Sequence, residues 1–266
     1  RGEKMAEDAR ARELERVNTD TGLLKTVAIL TMVVDHIGAM LLRDVPELRI
    51  IGRVAFPLFA WGVVVGMVYT RNPARYAARL LLLALLSQAG YMLGLNHRWS
   101  ELNVVFTLLL GMLGIWGMRW NRWGSAWWGP ALCVLTASLI PMDYGWRGVL
   151  FIQLLYLART SPGALAACMI PYCLFWGAGA GSRAVTEIWG VPLVIPGESR
   201  VAASLNSLLA PFLRLQTLAL LALPLMAVPT KSGIKLPKWL GYLAYPGHLM
   251  ILYLIQQALT RWQIPG

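Results

Sequence analysis

The feature that most constrains this chain is a succession of apolar runs separated by short basic connectors. A helix needs about 20 apolar residues to cross a bilayer, and runs of that order are found near 24–42, 50–70, 76–95, 101–118, 126–141, 144–158, 163–180, 205–228 and 239–259. In lipid every backbone polar group must be satisfied within the segment, so such runs are expected to be helices. The fold class expected is therefore all-α, a polytopic helical membrane bundle of about nine transmembrane helices. The sixth run is short and reads as tilted or partly buried. Residues 201–228 are too long for one span, and Pro211 and Arg214 lie within them. Their first part is open to an interfacial or re-entrant reading.

Composition agrees with a lipid-facing bundle. Only 14% of residues are charged, against about a quarter in soluble domains. Tryptophan, which favours the membrane–water boundary, occurs twelve times, with Trp116, Trp120, Trp123, Trp127 and Trp128 placed to form such a belt. The net charge of +11 invites a nucleic-acid partner, but the basic residues sit in small clusters between apolar runs rather than on one soluble face. Nucleic acid is therefore excluded as a partner. Cys133, Cys168 and Cys173 lie inside apolar segments without metal-type spacing and read as buried, inert thiols. No metal is expected.

Two parts are expected: a charged cytoplasmic tail over residues 1–22 and one transmembrane domain over 23–266, with an irregular or interfacial loop at 181–200. The tail does not read as a signal peptide, because its charges are mixed and the apolar stretch after it is too long. Orientation follows from the connectors. Arg71, Arg75 and Arg79, then Arg119 and Arg122, Arg159, and Lys231, Lys235 and Lys238 all fall on the side of the tail. Arg43, Arg49, Arg53, Arg98, Arg147, Arg183, Arg200 and Arg261 fall on the other. The richer side is the cytoplasmic one, giving N-in and C-out in a bacterial inner, multi-pass membrane setting.

Polar residues inside apolar runs carry the functional signal, since each costs several kcal/mol unless paired. Asp35 and His36 lie in TVAILTMVVDHIGAMLL, with His36 roughly 9 Å from the outer end of its helix. Arg53 opens the second run, Asn103 and Thr107 open the fourth, and Asp143 and Tyr144 lie in the turn of IPMDYGWRGVL. His248 is near the middle of the last run, deeper than His36. Asp35 and His36 diverge by about 100° around the helix, so Asp35 does not orient His36; Arg53 is its expected counter-ion. Pro57 and Pro246 are expected to free the carbonyls of Arg53 and Tyr242. Each feature also has a structural reading: Asp35 with Arg53 as a plain ion pair, and Asn103, Ser87 and Gln88 as polar glue between helices. Gly62 and Gly66 are expected to pack closely against another helix.

Taken in order, LKTVAILTMVVDHIG, LRIIGRVAFPLFAW, NVVFTLLLG, DYGWRGVL and GYLAYPGHLMIL resemble the TraX family. The resemblance runs from residue 24 to about 252. It implies acyl transfer, since the name-giving member is associated with N-terminal acetylation of conjugative pilin. TraX-like proteins also look related to transmembrane acyltransferases that use acyl-CoA. The donor implied is acetyl-CoA or another acyl-CoA, and the acceptor a pilin-like protein, a glycan or a lipid. Membrane lipids are the remaining partners. On this basis His36 is the candidate general base, Asp35 and Arg53 set the local field, and Arg53 or Asn103 donates to the oxyanion. His248 either positions the thioester or relays the acyl group. Arg71, Arg75, Lys231 and Lys235 are candidates for the donor's phosphates, and Asp143, Tyr144 and Thr107 for the acceptor. A non-enzymatic transporter or assembly scaffold is the competing class. A proton-coupled transporter also needs intramembrane Asp and His, though two matching halves with broken helices are not visible.

Overall fold

The computed structural model describes residues 14–179, 182–197 and 199–262. Most of the expected charged tail, residues 1–13, lies outside the described residues. The part of it that is described is packed against the bundle. Leu14 and Val17 are buried. Asn18 donates to the Leu225 carbonyl at 2.8 Å and accepts, through its own carbonyl, from Trp61 Nε1 at 2.7 Å.

The described residues are mostly helical. α1 covers Thr21–Met40, α2 Glu47–Gly52, α3 Ala55–Tyr69, α4 Pro73–Leu95 and α5 Val104–Trp120. α6 covers Ser125–Leu139, α7 Gly145–Leu157 and α8 Pro162–Gly177. Caps explain several of the starts. Asp20, Asn72, Asn103 and Ser161 each accept a backbone N–H from the first turn they precede, and Pro73 and Pro162 follow two of them. Asn96 and Asn121 end α4 and α5 in the left-handed conformation that stops a helix.

The expected loop at 181–200 contains a minimal antiparallel hairpin, β1 Glu187–Ile188 with β2 Val191–Pro192. The eighth run does not form one span. It divides into α9, Arg200–Leu209, a 3₁₀ turn at Thr217–Ala222 and α10, Leu223–Ala227. Pro211 and the buried Thr217, whose hydroxyl donates to the Pro211 carbonyl at 2.9 Å, break the run between them. α11 then covers Lys238–Trp262.

Among the described residues, three segments are long and apolar enough to cross a membrane: Thr21–Met40, Glu47–Tyr69 and Pro73–Leu95. Val104–Trp120, Gly145–Leu157, Pro162–Gly177 and Thr217–Ala227 are apolar but shorter. α3 is the central element. It is apolar on every side, as a helix enclosed by others must be, and Trp61, Val64 and Met67 are fully buried. α1, α5 and α7 pack around it, with α6 against α5 and α7, and α11 against α1 and α4. The outer helices carry the apolar surface expected to meet lipid: Leu82 and Leu86 on α4, Leu135 and Leu139 on α6, Ile251 and Leu254 on α11. Trp120, Trp123, Trp127 and Trp128 are exposed, whereas Trp116 packs against the core and leaves the expected belt.

Of the two glycines expected to pack closely against another helix, Gly66 does so and Gly62 does not. A Cβ at Gly62 would meet nothing within 4 Å, while one on Gly66 would meet the Tyr76 hydroxyl at 2.9 Å. α5 and α6 also approach closely, where a Cβ on Gly117 would lie 3.2 Å from Gly129 Cα. Pro57 falls in the first turn of α3, where its missing N–H breaks no helical bond.

Candidate functional site

The end of α1, the α2–α3 corner and the connectors before α5 and α7 surround a cavity of about 660 Å³. Asp35, His36, Arg49, Arg53, Asp143 and Tyr144 line it. Its lining on α3 reaches no deeper than Phe59.

Asp35 is the electrostatic hub. Its two carboxylate oxygens accept from two arginines, Arg53 Nη2 at 2.8 Å and Arg49 Nη1 at 2.7 Å. Arg49 and Arg53 sit one helical turn apart and so share a face. That i, i+4 spacing in LRIIGR is the signal that would have found Arg49 from sequence. Gly52 makes the clasp sterically possible, because a Cβ there would lie 2.0 Å from Asp35 Oδ1. Arg53 also donates from Nε to the Arg49 carbonyl at 3.2 Å and, over a long 3.5 Å, from Nη1 to Gln216 Oε1.

The two histidines meet directly. His248 Nε2 lies 2.7 Å from His36 Nδ1, and His248 Nδ1 lies 2.5 Å from the Ala244 carbonyl. A carbonyl only accepts, so Nδ1 of His248 carries the proton. With both rings neutral, Nε2 of His248 must then accept, and His36 Nδ1 must donate to it. This leaves His36 Nε2 with a free lone pair. His36 lines the cavity and His248 stands behind it. His248 was expected deeper than His36; the rings are in fact 4.8 Å apart. Counting residues along two separate helices gives no common depth when the helices are offset.

Asp143 and Tyr144 are placed by the connector that enters α7. Asp143 N–H donates to the Leu102 carbonyl at 2.9 Å, and the Thr107 hydroxyl donates to the Asp143 carbonyl. Burial pushes the Asp143 carboxyl up to about 6, against the opposing pull of Arg53 and His97. Tyr144 adopts a left-handed φ of 63° and stacks on Phe56 with ring centroids 3.9 Å apart. A bulky residue in that region stores strain, which tends to be retained at functional sites.

Other expected residues are not brought to the cavity. Asn103 is fully buried and its amide is committed: Nδ2 donates to the Ala84 carbonyl and to Gln88 Oε1, both at 2.8 Å, and Oδ1 caps α5. An oxyanion role would break one of these bonds, so its geometry is that of glue between α4 and α5. Thr107 has its hydroxyl on a backbone carbonyl and holds the connector rather than a ligand. Arg71 and Arg75 lie beyond the other end of α3, about 22 Å along a helix of this length, and Lys231 and Lys235 lie in the exposed segment before α11. None of these four lines the cavity. Arg147, His97, Gln216 and Tyr245 line it and were not singled out from sequence. Only His97 and Arg147 carried a visible signal, as polar groups flanking apolar runs.

The TraX protein family matches residues 20–256 of this sequence. The chain belongs to the TraX family. Protein TraX of Escherichia coli is 31% identical over 159 residues, covering 56% of this chain and 62% of that protein. A probable fimbrial assembly protein FimC, serogroup H1, of Dichelobacter nodosus is 31% identical over 106 residues, covering 35% of this chain and 43% of that protein. An uncharacterized protein of Rickettsia prowazekii, RP591, is 31% identical over 97 residues, covering 36% and 37%. The chain thus spans less than two thirds of the length of these relatives. No solved structure matches it. The TraX match contains every residue that forms the clasp and the histidine pair.

Proposed function

We propose that this TraX-family protein is a membrane-embedded acyltransferase that moves an acetyl or other short acyl group from acyl-CoA to an amine or hydroxyl acceptor at the outer face of the bacterial inner membrane. The observation that carries the proposal is the His36–His248 contact at the cavity wall. It supplies a neutral imidazole with a defined tautomer and one free lone pair, which is what a general base requires.

In this mechanism the acceptor nitrogen or oxygen attacks the thioester carbonyl as His36 Nε2 takes its proton. The new C–N or C–O bond forms, the C–S bond breaks, and the proton on His36 passes to the departing thiolate. His248 holds the His36 ring and tautomer. Arg53 donates from Nη1, whose bond to Gln216 is long and easily exchanged, to the developing oxyanion. Asp35 fixes Arg53 and Arg49 for that task. Asp143 and Tyr144 bound the acceptor side of the cavity.

Basic residues at the cytoplasmic end, Arg71, Arg75, Lys231 and Lys235, attract the donor electrostatically, within the N-in, C-out arrangement of about nine spans. The fimbrial-assembly name of one relative supports a pilin-like subunit as the acceptor, with glycan or lipid acceptors as the alternative. Purified protein incubated with labelled acetyl-CoA and a pilin peptide tests this. Label in the peptide and free CoA thiol are expected; donor left intact after prolonged incubation contradicts the proposal.

A further inference from the structure

A second cavity of about 590 Å³ adjoins the first, sharing Arg49, Arg53 and Gln216 with it. Its charged lining is one-sided: Arg43, Arg49, Arg53 and Arg183 against the single carboxylate Glu187. Asp35 neutralises only part of this, since one carboxylate is divided between Arg49 and Arg53. Arg43 and Arg183 are exposed and come from different connectors, the α1–α2 turn and the segment before β1. In the lining of the first cavity, the buried Nε of Arg147 has no hydrogen-bond partner among the described residues.

Four cations converging on one concave space repel one another unless an anion is present. Guanidinium groups from separate connectors can engage oxyanions bidentately, which lysines cannot. Burial of Arg53 beside the vestibule lowers the local dielectric and strengthens such contacts. We propose that this arginine-lined vestibule is a binding site for a phosphate-class oxyanion carried by a substrate, held by Arg43 and Arg183 with support from Arg49. The inference rests on the acyl-transfer reading only for the word substrate; the anion site itself follows from the cavity. Two sources share this chemistry: the phosphates of the acyl-CoA donor, or the headgroup of an anionic lipid.

The test is thermal unfolding of the purified full chain in a neutral detergent, titrated with inorganic pyrophosphate at constant ionic strength. A saturable rise in Tm is expected for the wild type. The exposed double variant Arg43→Gln/Arg183→Gln should weaken that binding at least about tenfold, and Arg43→Lys/Arg183→Lys should fall between the two. The melting curve of each variant without ligand reports whether it folds. Two further arms identify the source. CoA stabilising more than pantetheine, with the difference lost in the double glutamine variant, assigns the site to the donor. Phosphatidylglycerol stabilising more than phosphatidylcholine in mixed micelles, with the same loss, assigns it to a headgroup. Pyrophosphate that shifts wild type and double variant equally, or shifts neither, overturns the proposal. Because no acyl transfer is read, absence of transferase activity would leave this result standing, and the reverse holds too.

Discussion

At the residue scale one carboxylate holds two arginines in a clasp. Asp35 lies between Arg49 and Arg53, so Asp35→Asn strands two cations, one of them nearly inaccessible to water. Removing one partner of such a buried group costs about 3–5 kcal/mol, and Asp35→Asn should lower Tm accordingly. Adding Arg53→Gln should recover part of that loss but not activity, if Arg53 also serves the oxyanion. A double-mutant cycle on melting measures the coupling; additive effects would show that the pair does not interact in solution. Asp143 behaves in the opposite sense. Its folded pKa, about 6, lies above its ordinary value of 3.8, so the folded state binds this proton more tightly. Stability attributable to it is therefore full at low pH and declines between about pH 4 and 6. Asp143→Asn should raise Tm at pH 7 and flatten the melting profile across that window; an unchanged profile would show that the carboxyl is not buried as described. Asp35, His36 and Arg53 were legible in the sequence because a charge in an apolar run demands a reason. Their partners were less so. The histidine pair joins residues 212 apart in the chain, and the positive φ of Tyr144 leaves no trace in composition.

At the element scale the site is made by corners rather than by helix middles. The α2–α3 corner brings Arg49 and Arg53 to Asp35 only because Gly52 carries no side chain. Gly52→Ala should thus reduce both stability and activity although it touches no reacting atom, and circular dichroism melting with a parallel transfer assay checks this. Retention of both would mean that the corner opens freely. The start of α5 provides a second discrimination. Asn103→Ala removes a cap, worth about 1 kcal/mol, and leaves the Ala84 carbonyl and Gln88 short of partners. Tm should fall while the rate per folded molecule is kept. A normal Tm with a lost rate would restore the oxyanion role. Helix starts were legible where Asn, Asp or Ser preceded an apolar run. The eighth run was less so, since hydropathy alone hides the break around Pro211 and the 3₁₀ turn at Thr217–Ala222.

At the scale of the whole molecule, α3 is a buried axle around which the outer helices turn apolar faces outward. The lining of the cavity on α3 is confined to its first turns, Ala55, Phe56 and Phe59. Topology therefore decides which compartment the acceptor comes from. Cysteines introduced at Arg75 and Lys235 should be labelled from the cytoplasm and one at Gly145, beside Asp143, from outside; labelling of both sets from one side contradicts the orientation. The apolar runs of the sequence mark out helices, but the depth of a residue within the bundle depends on offsets between helices that no single run encodes. That is why His248 was expected deeper than His36. The central claim is that His36 is the base of an acyl transfer. Its most direct test compares wild type with His36→Gln for transfer of labelled acetyl groups, with CoA binding measured on the same preparations. The rate should fall by about 10²–10⁴-fold while CoA affinity and Tm stay close to wild type. A His36→Gln protein that transfers at the wild-type rate would contradict the account.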